Sequence, residues 1–305
     1  MIYSNSTNRI MMLVLVALVP GALVSTYFFG LGILINVVTC AFSAVFFESI
    51  ALGLQQKDLN ALRDGTAIIT GVLLGLALPP DINLLLPFVG TGFAVLFGKH
   101  VYGGLGHNLF NPTMVGYAVM IVSFPLAMSN WPVLFGSTVD GITGATPLDI
   151  IKFRGATTID EIWTPANGFS TLSSTAWQWI NISYIVGGIV LVYYKCCNWQ
   201  APLAMLLTLI VVSSIFYDSG SSESLGSPMF HLFSGGTMLV AFFVVTDPVT
   251  SPNSNVGLYI FGAGVGLITF IIRSYGAYPD GYAFAILLMN SLAPIIDHAR
   301  LRWSK

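Results

Sequence analysis

This chain is built mostly of apolar runs, and their lengths decide what it can fold into. Ten can be marked: 10–30, 31–54, 65–79, 84–101, 113–131, 177–194, 201–217, 230–245, 256–272 and 281–296. An α-helix needs ~20 apolar residues to cross a bilayer, and most of these runs are close to that length. The expected fold class is therefore an all-α polytopic membrane protein with about ten transmembrane helices. Composition agrees, because only 8% of the 305 residues are charged and 55% are hydrophobic. A soluble domain carries roughly 25% charged residues, so a water-soluble enzyme is excluded. Disorder is excluded by the same hydrophobicity. A net charge of −2 without a basic face argues against nucleic acid as a partner. The bilayer itself is the first partner implied. The opening residues, Met-Ile-Tyr-Ser-Asn-Ser-Thr-Asn-Arg-Ile10, lead into the first run without a cleavage site, so a retained first span is expected.

One long polar stretch, 135–175, divides the runs into two sets of five. The sets look alike. Their third runs are short, open with Gly-Thr and close at proline: Gly65-Thr66 to Pro79-Pro80, and Gly236-Thr237 to Pro248. Their fourth runs end in Lys99-His-Val-Tyr-Gly-Gly104 and Arg273-Ser-Tyr-Gly276, and their fifth runs hold Gly116-Tyr-Ala118 and Gly281-Tyr-Ala283. Three matches in one order predict an internal duplication. Five is odd, so the copies must face opposite ways. Inverted repeats with short, Gly/Pro-interrupted segments predict broken half-helices near the midplane. The expected organisation is a first five-helix repeat at 1–134, a loop outside the cytoplasm at 135–176, and a second repeat at 177–305. Eight of the eleven Lys and Arg residues fall on the side of the N-terminus, and Lys152, Arg154 and Arg273 fall on the other. The positive-inside rule then puts both termini in the cytoplasm and the loop outside it.

Within the loop stands Asp140-Gly-Ile-Thr-Gly-Ala-Thr-Pro-Leu-Asp149. Gly141 and Gly144 allow tight turns. Thr146 suits an N-cap, with Pro147 at the first helical position and Asp149 in the first turn. Spacing alone is also satisfied by a capped surface turn.

The segment from Thr143 to Thr146 resembles the [ST]-G-A-T flavinylation motif of the membrane proteins RnfD and NqrB. Further stretches agree with RnfD: Tyr102-Gly-Gly-Leu-Gly-His-Asn-Leu-Phe-Asn-Pro112, His231-Leu-Phe-Ser-Gly-Gly-Thr237, Thr246-Asp-Pro-Val-Thr250 and Tyr278-Pro-Asp-Gly-Tyr-Ala-Phe-Ala-Ile-Leu-Leu-Met-Asn290. The resemblance runs from about Arg9 to the C-terminus. It implies FMN held through a phosphoester to the hydroxyl of Thr146, attached by a separate flavin transferase. Asp140, Gly141, Thr143, Gly144, Ala145, Pro147 and Asp149 would line the flavin or be read by the transferase. The resemblance further implies a membrane component of an Rnf-type complex in the bacterial inner membrane, with the flavin loop periplasmic. Such a complex links electron flow between ferredoxin and NAD to Na⁺ or H⁺ movement. In relatives it instead keeps a redox-sensing regulator reduced. The partners implied are the other Rnf-type proteins, RnfA, RnfB, RnfC, RnfE and RnfG, the flavoprotein RnfG above all. A second, non-covalent flavin such as riboflavin is open, with the glycine-rich turns 66–75 and 234–237 as places for a flat ring. Departures from the family pattern are a shorter loop between Trp131 and Asp140, His107 where Gln is common and Leu109 where Pro is common. Two alternatives stay open: an NqrB-like component of a sodium-translocating NADH:quinone reductase, and a urea/ammonium-type transporter.

Charged residues inside runs are functional candidates by default. Glu48 and Asp247 are candidates for ion coupling. Against this, Glu48 also suits a carboxylate bonded to a neighbouring helix, and Asp247 suits helix termination. Lys99 and Arg273 are expected to anchor at the interface. The four histidines show no metal-ligand spacing, and no metal site is expected. Cys40 reads as a small core residue, and adjacent Cys196 and Cys197 hold no iron–sulfur pattern. No side chain need act as acid or base, so no catalytic residue is assigned.

Overall fold

The computed structural model describes residues 7–132, 143–144, 146–165, 169–219 and 221–303, with 143–144 and 300–303 as backbone only. The protein is an all-α polytopic membrane protein. Its first half runs α1 (Thr7–Phe29), α2 (Gly32–Leu54), α3 (Thr66–Ala77), α4 (Leu85–Leu96), α5 (Pro112–Ser123) and α6 (Pro125–Met128). Two short loop helices follow, α7 (Pro147–Lys152) and α8 (Ile159–Ile162). The second half runs α9 (Thr175–Tyr193), α10 (Gln200–Ile215), α11 (Pro228–Phe233), α12 (Thr237–Phe243), α13 (Asn255–Tyr275) and α14 (Tyr282–Trp303). Strand pairing among the described residues is confined to one two-residue pair, β1 (Trp131–Pro132) with β2 (Thr143–Gly144), and one bridge between Phe169 and Ser174.

Among the described residues, six helical stretches are long and apolar enough to cross a membrane: Thr7–Phe29, Gly32–Leu54, Leu85–Tyr102, Thr175–Tyr193, Asn255–Tyr275 and Tyr282–Ala299. The remaining apolar runs fall short for local reasons. Helix α3 has 12 residues, about 18 Å at 1.5 Å each, and stops where Leu78 turns extended ahead of Pro79 and Pro80. The run at 230–245 is broken at Ser234-Gly235-Gly236, between α11 and α12. The fifth run, expected to continue to Trp131, breaks at Phe124–Pro125, since proline there cannot donate to the helix ladder.

Broken helices leave backbone groups that lipid cannot satisfy. Buried asparagines cover them here. Asn36 Nδ2 donates to Pro79 O at 2.8 Å, at the end of α3. Asn181 Nδ2 donates to Gly235 O at 3.0 Å and its Oδ1 accepts from Met238 N at 3.0 Å, across the α11/α12 break. Asn290 Oδ1 accepts from Asn111 N at 3.0 Å, at the start of α5.

Close helix approach depends on glycine. A Cβ on Gly71 of α3 would sit 2.5 Å from Cys40 O of α2, and one on Gly266 of α13 would sit 2.5 Å from Met205 O of α10. Large apolar side chains such as Val16, Leu23, Val38 and Phe42 point outward from α1 and α2, as a lipid-facing surface requires.

Candidate functional site

Thr146 caps α7. Its Oγ1 accepts from Asp149 N at 3.2 Å and donates to Asp149 Oδ2 at 2.6 Å, while Thr146 N donates to the same oxygen at 3.1 Å. This is a reciprocal capping box with Pro147 in the first turn. Just upstream, Gly144 pairs with Trp131 and Thr143 with Pro132. Downstream, Lys152 Nζ donates to Ile272 O at 3.0 Å and to Tyr278 O at 2.6 Å, which ties α7 to the end of α13 and the turn beyond it. Arg154 donates to Ser222 O at 2.9 Å and to Ser224 O, which fixes the next stretch. Leu148 and Ile151 are buried with Ile159, Ile162, Phe169 and Phe230 in a small cluster of their own. Burial pushes the Asp149 carboxyl above the usual carboxylate range, against the pull of its Thr146 hydrogen bonds. Burial also lowers Lys152, and nearby Asp149 opposes that.

Thr146 and Asp149 line a cavity whose empty space, with its opening, is about 1100 Å³. One wall is aromatic. The Phe29 and Trp131 rings lie 5.2 Å apart, Phe29 and Trp177 5.3 Å, and Trp131 and Trp177 5.1 Å. Tyr117, Tyr184 and Tyr282 also face it. Another wall is the unwound Gly235–Gly236 backbone with Asp280.

Arg273 holds that second wall. It is 3% exposed. Its Nε donates to Asp280 Oδ1 at 3.3 Å, its Nη1 to His231 O at 2.8 Å, and its Nη2 to Ser234 O and Thr237 Oγ1, both at 3.2 Å. The guanidinium also lies 4.6 Å from the centre of the Tyr282 ring. Gly235 has φ +58°, and a Cβ there would lie 2.5 Å from Asp280 Oδ2 and 2.9 Å from Leu148 Cδ1. Only glycine fits this turn.

The other singled-out residues are placed as follows. Asp140, Gly141 and Ala145 lie outside the described residues. Thr143 and Gly144 form the short strand before the cap. Glu48 is buried in a separate cluster, where Lys99 Nζ is 2.6 Å from Oε1 and His100 Nε2 is 3.1 Å from Oε2. Lys99 Nζ also donates to Thr66 Oγ1 at 2.9 Å. Ile33, which lines the cavity, and Glu48 are fifteen residues apart on α2, about 22 Å along the helix axis. The two sites are therefore distinct. Asp247 accepts from Asn111 Nδ2, Thr250 Oγ1 and Val249 N, each at 3.1 Å, and takes part in no ion pair among the described residues.

Lys99 and Arg273 do not anchor at an interface. Each is 3% exposed and each meets a carboxylate. Sequence patterning assigned them the usual role of a cation at a span end, because a partner distant in sequence cannot be seen there. The aromatic wall and the site role of Asp280 were also missed. The Tyr-Pro-Asp-Gly segment was the available signal for Asp280. Among the described residues no group of His, Cys, Asp and Glu could hold a metal ion. Cys40 is fully buried, and Cys196 and Cys197 are free thiols. Burial pushes Cys197 up to about 12.

Similarity to known proteins bears on this site. The family model described as the NQR2, RnfD, RnfE family matches residues 2–302. The chain belongs to that family. Its relatives include proteins named as the D subunits of ion-translocating oxidoreductase complexes. The one from Pseudomonas paraeruginosa is 45% identical, covering 96% of this chain and 90% of its own length. The one from Cellvibrio japonicus is 43% identical over 97% and 90%, and the one from Salmonella arizonae 39% over 96% and 93%. Within the NQR2, RnfD, RnfE family frame, the capped Thr146 on an aromatic cavity is the feature for a function to explain.

Proposed function

We propose that this protein is the D-type membrane component of an ion-translocating oxidoreductase complex and carries FMN on the hydroxyl of Thr146. One observation carries the reading: Thr146 lines a cavity walled by Phe29, Trp131 and Trp177. The residues fit the group. A hydroxyl stands where a phosphoester would begin, flat side chains flank the space, and the bare Gly235–Gly236 backbone forms part of the wall. When bound, FMN supplies the electron-accepting and electron-donating chemistry.

The chain's own residues position and insulate. Thr146 is held by the α7 cap, and α7 is held by Lys152 on Ile272 O and Tyr278 O. Phe29, Trp131 and Trp177 exclude water from the apolar wall. Asp149 accepts from the Thr146 N–H and holds the cap without needing the hydroxyl proton that esterification removes. The protein works as part of a translocase and needs its partners: RnfA, RnfB, RnfC, RnfE and RnfG, with the flavoprotein RnfG as electron neighbour, and a flavin transferase for maturation. Electron flow between ferredoxin and NAD would be linked to Na⁺ or H⁺ movement, for which Glu48 and Asp247 are the buried carboxylates available. The setting is the bacterial inner membrane, both termini cytoplasmic and the Thr146 loop periplasmic. The lysine and arginine count supports that orientation. A second, non-covalent flavin such as riboflavin belongs to the same proposal.

The test is ultraviolet fluorescence of the denatured protein on a gel, produced together with its flavin transferase. Fluorescence in the wild type that vanishes in Thr146→Ala is expected. A dark wild-type band overturns the reading.

A further inference from the structure

The charged residues lining the cavity are both acids, Asp149 and Asp280, and no lysine or arginine lines it among the described residues. The two acids are held differently. Asp149 Oδ2 accepts from the N–H of Thr146, a bond that does not depend on the hydroxyl proton lost on esterification. Asp280 has capacity to spare. Its Oδ1 receives one long bond from Arg273, 3.3 Å, and its Oδ2 one weak bond from Gly236 N, 3.4 Å. A carboxylate can accept about four hydrogen bonds. The side chain is 20% exposed, and it lines the cavity.

Its position is nonetheless fixed. Arg273 is held back from the cavity by three further bonds, to His231 O, Ser234 O and Thr237 Oγ1. Lys152 links the Tyr278 carbonyl to α7, so the turn bearing Asp280 and the helix capped by Thr146 are tied together. Arg273 balances the charge of Asp280 but is not among the lining residues, so the carboxylate is the end of the ion pair that borders the cavity. A carboxylate held in place against a redox group disfavours the form that gains negative charge. Charge near the ring is one of the levers by which a protein tunes a flavin.

We infer that Asp280 tunes the redox potential of the flavin on Thr146, holding it low through the carboxylate end of a fixed ion pair in the cavity wall. This rests on the reading that Thr146 carries the flavin. Asp280 acts as a tuning residue, and Arg273 positions it.

The experiment is a spectroscopic redox titration of the full-length protein, made with its flavin transferase and purified in detergent. Wild type, Asp280→Asn and Asp280→Glu are compared, with gel fluorescence reporting flavin attachment in each. Asp280→Asn should keep its fluorescence and shift the reduction equilibrium at least tenfold toward the reduced form. For a two-electron couple that is about 30 mV upward. Asp280→Glu, which keeps the charge, should stay near the wild-type potential. An unchanged potential in Asp280→Asn overturns the inference, as does an equal rise in both variants. A dark wild-type band refutes the attachment reading instead, so the two failures are distinguishable. Should Asp280→Asn fail to accumulate, the Asp149→Asn protein carrying ¹³C-aspartate decides. Its redox-difference infrared spectrum must show a carboxylate band that moves on flavin reduction, and absence of that band also overturns the inference.

Discussion

Lys99 and Arg273 occupy matching places and end up in different surroundings. Each stands at the end of the fourth apolar run of its half, and each donates to a threonine that opens a short helix, Thr66 for Lys99 and Thr237 for Arg273. Around Lys99 the charge is sealed: Glu48 is 3% exposed and His100 is 3.1 Å from it. Around Arg273 the acid partner, Asp280, forms part of a cavity wall. The same local device thus closes one region and furnishes the other. A sealed pair acts on stability, because removing either partner strands a charge in a low dielectric. A pair that borders open space can act on whatever fills that space.

The largest effect expected is at the open region, where Thr146→Ala should remove all covalent flavin. Gel fluorescence reads this, and residual fluorescence would move attachment elsewhere. Next comes the sealed region. Lys99→Met leaves Glu48 buried without its cation and should lower stability by about 3–5 kcal/mol. Thermal unfolding in detergent measures it, and adding Glu48→Gln should recover most of the loss. A small effect in the single variant would mean that water reaches Glu48 and that the region is not sealed. Gly235→Ala should show a middle effect. The left-handed conformation disfavours a Cβ by about 1–2 kcal/mol, and that Cβ would push on Asp280 Oδ2. Lower flavin loading with modest destabilisation is expected, and unchanged loading would detach this turn from the site.

The smallest effect concerns pH. Burial raises Asp149, so its folded value lies above its unfolded one. Its contribution is then fully present below the unfolded value, about 3.9, and is lost as pH rises through the folded value. Helix α7 should open more readily near neutral pH than in mild acid. Amide exchange at Ile150 and Ile151, corrected for intrinsic rates, would read this, and Asp149→Asn should flatten the dependence.

Much of the architecture was legible because it is local. Helix α3 is short because prolines follow Leu78, and the α7 cap was readable from Thr146, Pro147 and Asp149 within four residues. The break in the fifth run was missed although Pro125 marks it, since apolar content alone carried that expectation. The burial of Lys99 and Arg273 was not legible. Their partners Glu48 and Thr66, or His231 and Ser234, lie in other parts of the chain, and nothing in a run's own composition reports them.

By itself the sequence determined that this chain lives in a bilayer, that α3 stops short at its prolines, and which threonine caps the loop helix. Each depends on hydrophobicity, proline or a cap acting over a few residues. Only the tertiary structure decided that Phe29, Trp131, Trp177, Gly235 and Asp280 converge around Thr146. These residues come from distant parts of the chain, and only the packing of helices against one another brings them to one cavity.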